Sequence, residues 1–208
     1  MAEVVTRSIA DEQESLEADL KDEIFRMYEE VAESVDGDFH FYHGREAAER
    51  FGYDPALLDS LPDGAVGSFA GVGNPHARSA IEEGMTVLDV GSGAGLDGII
   101  AGRAAGSTGR VIGVDLNPKM LERAREHAEA AGVRMELRSG VMEDLPVEDD
   151  SVDVAISNGV INLSFRKRHV FREIFRTLKP GGRISITDIV SAKQLSQSIV
   201  NDPKLWAS

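Results

Sequence analysis

The chain has 208 residues, 36 acidic side chains against 22 basic ones for a net charge of −14, and no cysteine. Its length suits one domain with an appended segment and a real core, at a mean hydropathy of −0.18 that is ordinary for a soluble globular protein. The charge argues against a general grip on nucleic acid or on an anionic membrane, both of which use Lys and Arg, and reads as a solubility device; lack of cysteine excludes disulfides, thiolate zinc sites and thiol nucleophiles.

Residues 1–35 are rich in charge, with Leu16, Leu20, Ile24, Met27, Tyr28 and Val31 recurring every three or four positions. That spacing predicts an amphipathic helix. The N-terminus has no apolar signal core and no stretch approaches the ~18 apolar residues of a membrane span, so cytoplasm is the default location. Residues 36–80 are dense in Gly, Pro and aromatics. "YDPALLDSLPDG" predicts one short helix closed by turn residues, and "FAGVGNP" predicts a shaped loop, either a plain connector or the wall of a ligand pocket.

From Met85 the pattern alternates. Strands are expected at 86–91, 110–116, 135–140, 151–158 and 183–190. Helices are expected at 96–106, at 118–132 behind Pro118, and at 168–182, stopped by Pro180-Gly181-Gly182. The alternation predicts an α/β fold: a Rossmann-like, doubly wound, mostly parallel sheet. The expected division is an N-terminal helix and lid over 1–80, a binding domain over 81–190 and a tail over 191–208.

"VLDVGSGAGLDG" is the strongest local signal. Gly91, Gly93 and Gly95 follow a strand and open a helix, where glycine permits a tight turn and close ligand approach and the helix N-terminus offers free amides. Asp115 ends the next strand, twenty positions beyond Gly95, and suits a ribose diol. Asp89 discriminates between nucleotides. An acid just before the glycine turn repels a pyrophosphate and attracts an ammonium, which favours S-adenosyl-L-methionine over a nicotinamide dinucleotide. Both acids have plainer readings, Asp89 as a cap and Asp115 as a turn residue. Gly140 permits close approach, so an adenine can lie against Val141 and Met142, although core packing explains that pair equally well. Asn158 closes the fourth strand beside the end of the first, where parallel sheets bind ligands, and is expected to reach the methionine part of the cofactor. Asn162 falls nearer the acceptor or serves as a helix cap.

These stretches, with "GRVIGVDLNPKML", "SNGVINLS", "VFREIFRTLKPGGRISITDIV" and "DPKLWAS", resemble the class I S-adenosylmethionine-dependent methyltransferases, and more narrowly their arsenite methyltransferase branch. The resemblance implies that Asp89, Gly91, Ser92 and Gly93 hold the methionine end, that Asp115 holds the ribose, and that Leu116, Met120 and Val141 flank the adenine. It places Asn158 at the methionine moiety and Tyr28 in a closing lid. The acceptor is then a small molecule. Two departures qualify this. Val72 and Gly159 stand where the branch carries metalloid-binding cysteines, and soft metalloids prefer sulfur. The sheet also reads as cut short after its fifth strand, which leaves an apolar edge for a dimer partner or second chain. A non-catalytic cofactor-binding module, or one half of a split methyltransferase, is the alternative.

Overall fold

Strand β1 (Thr86–Val90) is the centre of the molecule, with Val87, Leu88 and Val90 all buried. Both its faces are covered, so its apolar residues run on rather than alternate, as in buried parallel strands. The computed structural model describes residues 43–193; the predicted helix of residues 1–35, Tyr28 with it, lies outside them. The other strands are β2 (Arg110–Asp115), β3 (Met135–Ser139), β4 (Val152–Asn158) and β5 (Leu178–Thr187), in spatial order β3-β2-β1-β4-β5, and every neighbouring pair is parallel. The order reverses between β1 and β4, and their carboxyl ends lie side by side with Val90 opposite Ser157.

Four short helices precede the sheet: α1 (Gly44–Arg50), α2 (Pro55–Asp59), α3 (Asp63–Gly67) and α4 (His76–Ser79). The crossovers are α5 (Leu96–Ala105), α6 (Pro118–Ala130) and α7 (Lys167–Thr177). The pleat sorts the core. Leu88, Val90, Ile112 and Val114 join Val170 and Ile174 of α7, while Val87, Val111 and Val154 join Ala101 of α5. Asp89 follows the parity of Val87, so it belongs to the α5 side. A third cluster unites Tyr53, Leu58, Val66 and Phe69 of the leading segment with Leu96, Ile99 and Ala128. Among the described residues no helix is long and apolar enough to cross a membrane.

Two boundaries differ from expectation. The stretch 53–64 holds one helix and the start of another: the Asp54 side chain caps α2 at the Ala56 amide, and Asp63-Gly64 begin α3, which buries Ala65 and Val66. Helix α7 ends at Thr177, before Pro180, and β5 starts at once. Leu178 is opposite Val152 and Arg183 is opposite Val154, so five steps on β5 match two on β4. Pro180-Gly181-Gly182 form a bulge rather than a helix stop, a position where Pro and Gly are tolerated.

Candidate functional site

After Val90 the chain turns with Gly91, Gly93 and Gly95 all in the left-handed region, at φ of +71°, +49° and +94°. A side chain at Gly91 would strike Val160, and one at Gly95 would press on Ala124 of α6, whereas Gly93 has open space. The amides of Gly91 and Ser92 donate to the Val114 carbonyl, and that of Gly93 donates to Asp115 Oδ2 at 2.8 Å. Asp115 Oδ1 accepts from the Asn117 amide, also at 2.8 Å. Burial raises the Asp115 carboxyl above its ordinary range, and these amides oppose the rise.

Asp89 is 2 % exposed. Its Oδ2 has no hydrogen-bond partner, and neither does the buried Ser92 hydroxyl. Burial drives the Asp89 carboxyl well above its usual pKa, the charges of Asp97 and Asp115 add to the rise, and the Gly98 amide opposes it. Buried polar atoms are paired in the great majority of cases. The three acids Asp89, Asp97 and Asp115 line one cavity, so its wall favours a cationic group over an anionic one.

The cavity has a volume of about 480 Å³. Ten of the eleven residues expected at the site line it: Asp89, Gly91, Ser92, Gly93, Asp115, Leu116, Met120, Gly140, Val141 and Asn158. The eleventh, Tyr28, lies outside the described residues. Met120 is buried and Leu116 is partly exposed. Gly140 has no room for a side chain, because a Cβ would sit 2.7 Å from Pro146. Asn162 does not line the cavity; it lies in the 3₁₀ turn Ile161–Leu163 and its amide donates to Asp188.

Asn158 is engaged on every side. Its Oδ1 accepts from the amides of Val72 (2.9 Å) and Gly73 (3.1 Å) and from the Thr187 hydroxyl (2.8 Å). Its Nδ2 donates to the Gly73 carbonyl (2.9 Å), to Asp97 Oδ2 (3.0 Å) and, at 3.3 Å, to the Tyr53 hydroxyl. Asp97 Oδ1 accepts from Tyr53 (2.5 Å) and lies 3.0 Å from His76 Nε2. Burial, then the Asp97 charge, pushes the Tyr53 phenol far up, so it stays a donor. Sequence reasoning passed over Asp97 and Tyr53. Asp97 stands inside "GAGLDG" in the first turn of α5, where an acid also suits the helix dipole, and its partners are 21 to 61 positions away.

Val72 and Gly159 meet across this joint. A Cβ on Gly159, where φ is +77°, would lie 3.2 Å from Val72 Cγ1. Both are apolar, so the contact offers no ligand for a metalloid.

Residues 81–208 match the family model described as a methyltransferase domain. An arsenite methyltransferase of Halobacterium salinarum is 45 % identical over 157 residues, which is 75 % of this chain and 40 % of that protein. One from Aquipseudomonas alcaligenes is 38 % identical over 135 residues, 61 % of this chain and 39 % of that protein. The crystal structure of an arsenic(III) S-adenosylmethionine methyltransferase from Chlamydomonas reinhardtii superposes with a TM-score of 0.61 at 34 % identity, covering 79 % of this chain and 55 % of that one. The chain thus spans about two fifths of the length of these curated relatives. With a five-stranded parallel sheet, a glycine turn after β1 and an acid at the end of β2, the chain belongs to the methyltransferase domain family and resembles its arsenite methyltransferase branch.

Proposed function

We propose that the chain binds S-adenosylmethionine and directs its methyl group to a small-molecule acceptor. The observation that carries this reading is that two acids, Asp89 and Asp115, line one cavity with the glycine turn between them. The residues fit the cofactor. Asp89 suits its ammonium, the glycine turn with Ser92 leaves room for its amino-acid end, Asp115 suits its ribose hydroxyls, and Leu116, Met120 and Val141 supply apolar surface for the adenine. Tyr28 is assigned to the lid, with 1–80 as lid segment, 81–190 as binding domain and 191–208 as tail. We assign the protein to the cytoplasm, which cell fractionation checks.

The cofactor, when bound, supplies a methyl group on a sulfonium leaving group. The chain's share is alignment, an effect that reaches roughly 7–11 kcal/mol in well-oriented systems. Asp89 and Asp115 fix the two polar ends, and the glycine turn lets the backbone come close. Val160 and Leu163 add apolar surface to the cavity wall.

Relatives are named arsenite methyltransferases, but Val72 and Gly159 provide no thiolate. The acceptor is accordingly one that needs no protein sulfur at this joint: a metalloid already carried on small thiols, or an organic carbon, oxygen or sulfur centre. Calorimetric titration tests the first half of the reading, with S-adenosylhomocysteine expected to bind and NADH not. Labelled S-adenosylmethionine with an acceptor panel, arsenite plus glutathione included, tests the second. Binding without transfer to any acceptor favours the alternative, a cofactor-binding module or one half of a two-chain enzyme. The apolar Val72–Gly159 contact speaks for that alternative.

Among the described residues β5 is the last strand of the sheet, and its outer edge belongs to the same proposal. Ile184 is 51 % exposed there and Phe175 of α7 is 79 % exposed. An apolar strand edge pairs readily with another strand, and we assign it to a second copy or a second chain. Sedimentation of the purified chain and of Ile184→Lys checks this. A monomer in both, with no second chain recovered from cells, overturns it.

A further inference from the structure

We propose that Asn158 and Asp97 are positioning residues that tie the loop of residues 71–76 to occupancy of the cofactor's amino-acid end; the proposal rests on the cofactor reading above. Asn158 has the geometry of a joint. Its carbonyl oxygen takes three donors and its amide nitrogen serves three acceptors, more than the two N–H groups it owns, so nothing is left for a ligand. The loop is pressed against it. A Cβ on Gly71 would fall 2.3 Å from Asn158 Nδ2, and one on Gly73 would fall 2.7 Å from Thr187 Cβ. Glycine at both positions is what lets the backbone lie flat on these two side chains.

Asp97 holds the other end of the loop. His76, whose amide is capped by Asn74 Oδ1, reaches Asp97 with its ring. One carboxylate therefore receives the 72–73 segment through Asn158 and the 76 end through His76. The same carboxylate lines the cavity, and its charge raises the Asp89 carboxyl. A cation settling at Asp89 relieves the repulsion between the two carboxylates. The Asp97 carboxylate is also the group that Asn158, His76 and Tyr53 meet. Cofactor binding and loop order thus act on one carboxylate, which is the condition for positive coupling between two sites. The loop wall, with Gly71 on the cavity, becomes firm when the cofactor is seated.

The test is amide hydrogen exchange at Val72 and Gly73, followed by NMR on the full chain with and without S-adenosylhomocysteine. In the wild type, the ligand is expected to slow exchange at both amides by about fivefold or more, the lower range of allosteric coupling. Asn158→Ala is expected to lose this ligand-induced protection and, by reciprocity, to bind S-adenosylhomocysteine about fivefold more weakly, the size of the coupling. Asp97→Asn, which keeps volume but removes the charge, is expected to lose most of it. A residue that merely stabilised the fold would leave the ligand-dependent difference intact. If Asn158→Ala fails to fold, Thr187→Val removes one donor to the same oxygen and is expected to halve the protection. Wild-type binding with no change at these amides overturns the coupling. A loss of affinity beyond about tenfold in Asn158→Ala makes Asn158 a ligand and overturns its positioning role. Failure of the wild type to bind S-adenosylhomocysteine at all overturns the cofactor reading and the coupling with it.

Discussion

The carboxyl ends of β1 and β4 lie side by side and treat their polar residues in opposite ways. At the end of β1, Asp89 is buried beside two other acids, Asp97 and Asp115, with only the Gly98 amide set against them. At the end of β4, Asn158 has every polar position filled by its own chain. Both residues line one cavity. On the proposed reading the difference separates a receptor from a joint: a buried acid among other acids is a cost that a cationic ligand relieves, whereas a saturated amide is part of the architecture.

The sharpest way to break this comparison is at the joint. Asn158→Ala strands the amides of Val72 and Gly73 and one side of Asp97, and buried groups left unpaired cost about 1–3 kcal/mol each. A loss near 3 kcal/mol in urea denaturation is expected. A change below ~0.5 kcal/mol would show that the joint is idle, since that is the range of an ordinary surface substitution.

The receptor predicts an opposite pattern. Asp89→Asn should weaken S-adenosylhomocysteine by roughly 10- to 100-fold, the worth of a charge-assisted contact, while raising the melting temperature of the free protein. The sign follows from the raised carboxyl. Folding opposes ionisation of Asp89, so free-protein stability from this group is greatest when it is protonated. That stability is lost as pH rises from the ordinary Asp value of ~3.9 through the raised folded value. The cationic ligand needs the ionised form, so affinity should fall with acidification through the same folded value, and the Asn variant should have a flatter profile. Asn and Asp proteins with equal affinity and parallel pH profiles would remove Asp89 from the site.

Smaller effects refine the picture. Gly71→Ala forces a Cβ into Asn158 Nδ2 and should destabilise by about 2 kcal/mol, within the range for overpacking; an unchanged denaturation midpoint would mean that the loop moves freely off the joint. Tyr53→Phe deletes one hydroxyl from Asp97 and should cost about 1 kcal/mol, the net value of a typical hydrogen bond, with little change in ligand affinity. A loss of affinity larger than the loss of stability would place Tyr53 in the receptor instead.

The contrast also shows what the sequence made legible. The place of Asp89 on the cavity could be read locally, from an acid two residues before a glycine turn. The central strands could be read from their apolar runs and β3 from its alternation, and β1 through β4 lie where those patterns fall. The role of Asn158 could not be read, because its partners are up to 105 positions away and only the fold collects them. Asp97 was hidden for the same reason, among ordinary residues of a helical first turn. Pro180-Gly181-Gly182 misled because proline and glycine punctuate helices and bulge strands with the same letters. Only the pairing of Leu178 with Val152 decides between them.

The most direct measurement compares S-adenosylhomocysteine with its deaminated analogue in calorimetric titrations of the wild-type chain. The two ligands differ only in the ammonium that Asp89 is assigned to hold. The account predicts that the deaminated ligand binds at least about tenfold more weakly, the effect of ~1.4 kcal/mol. Equal affinity for the two would contradict it.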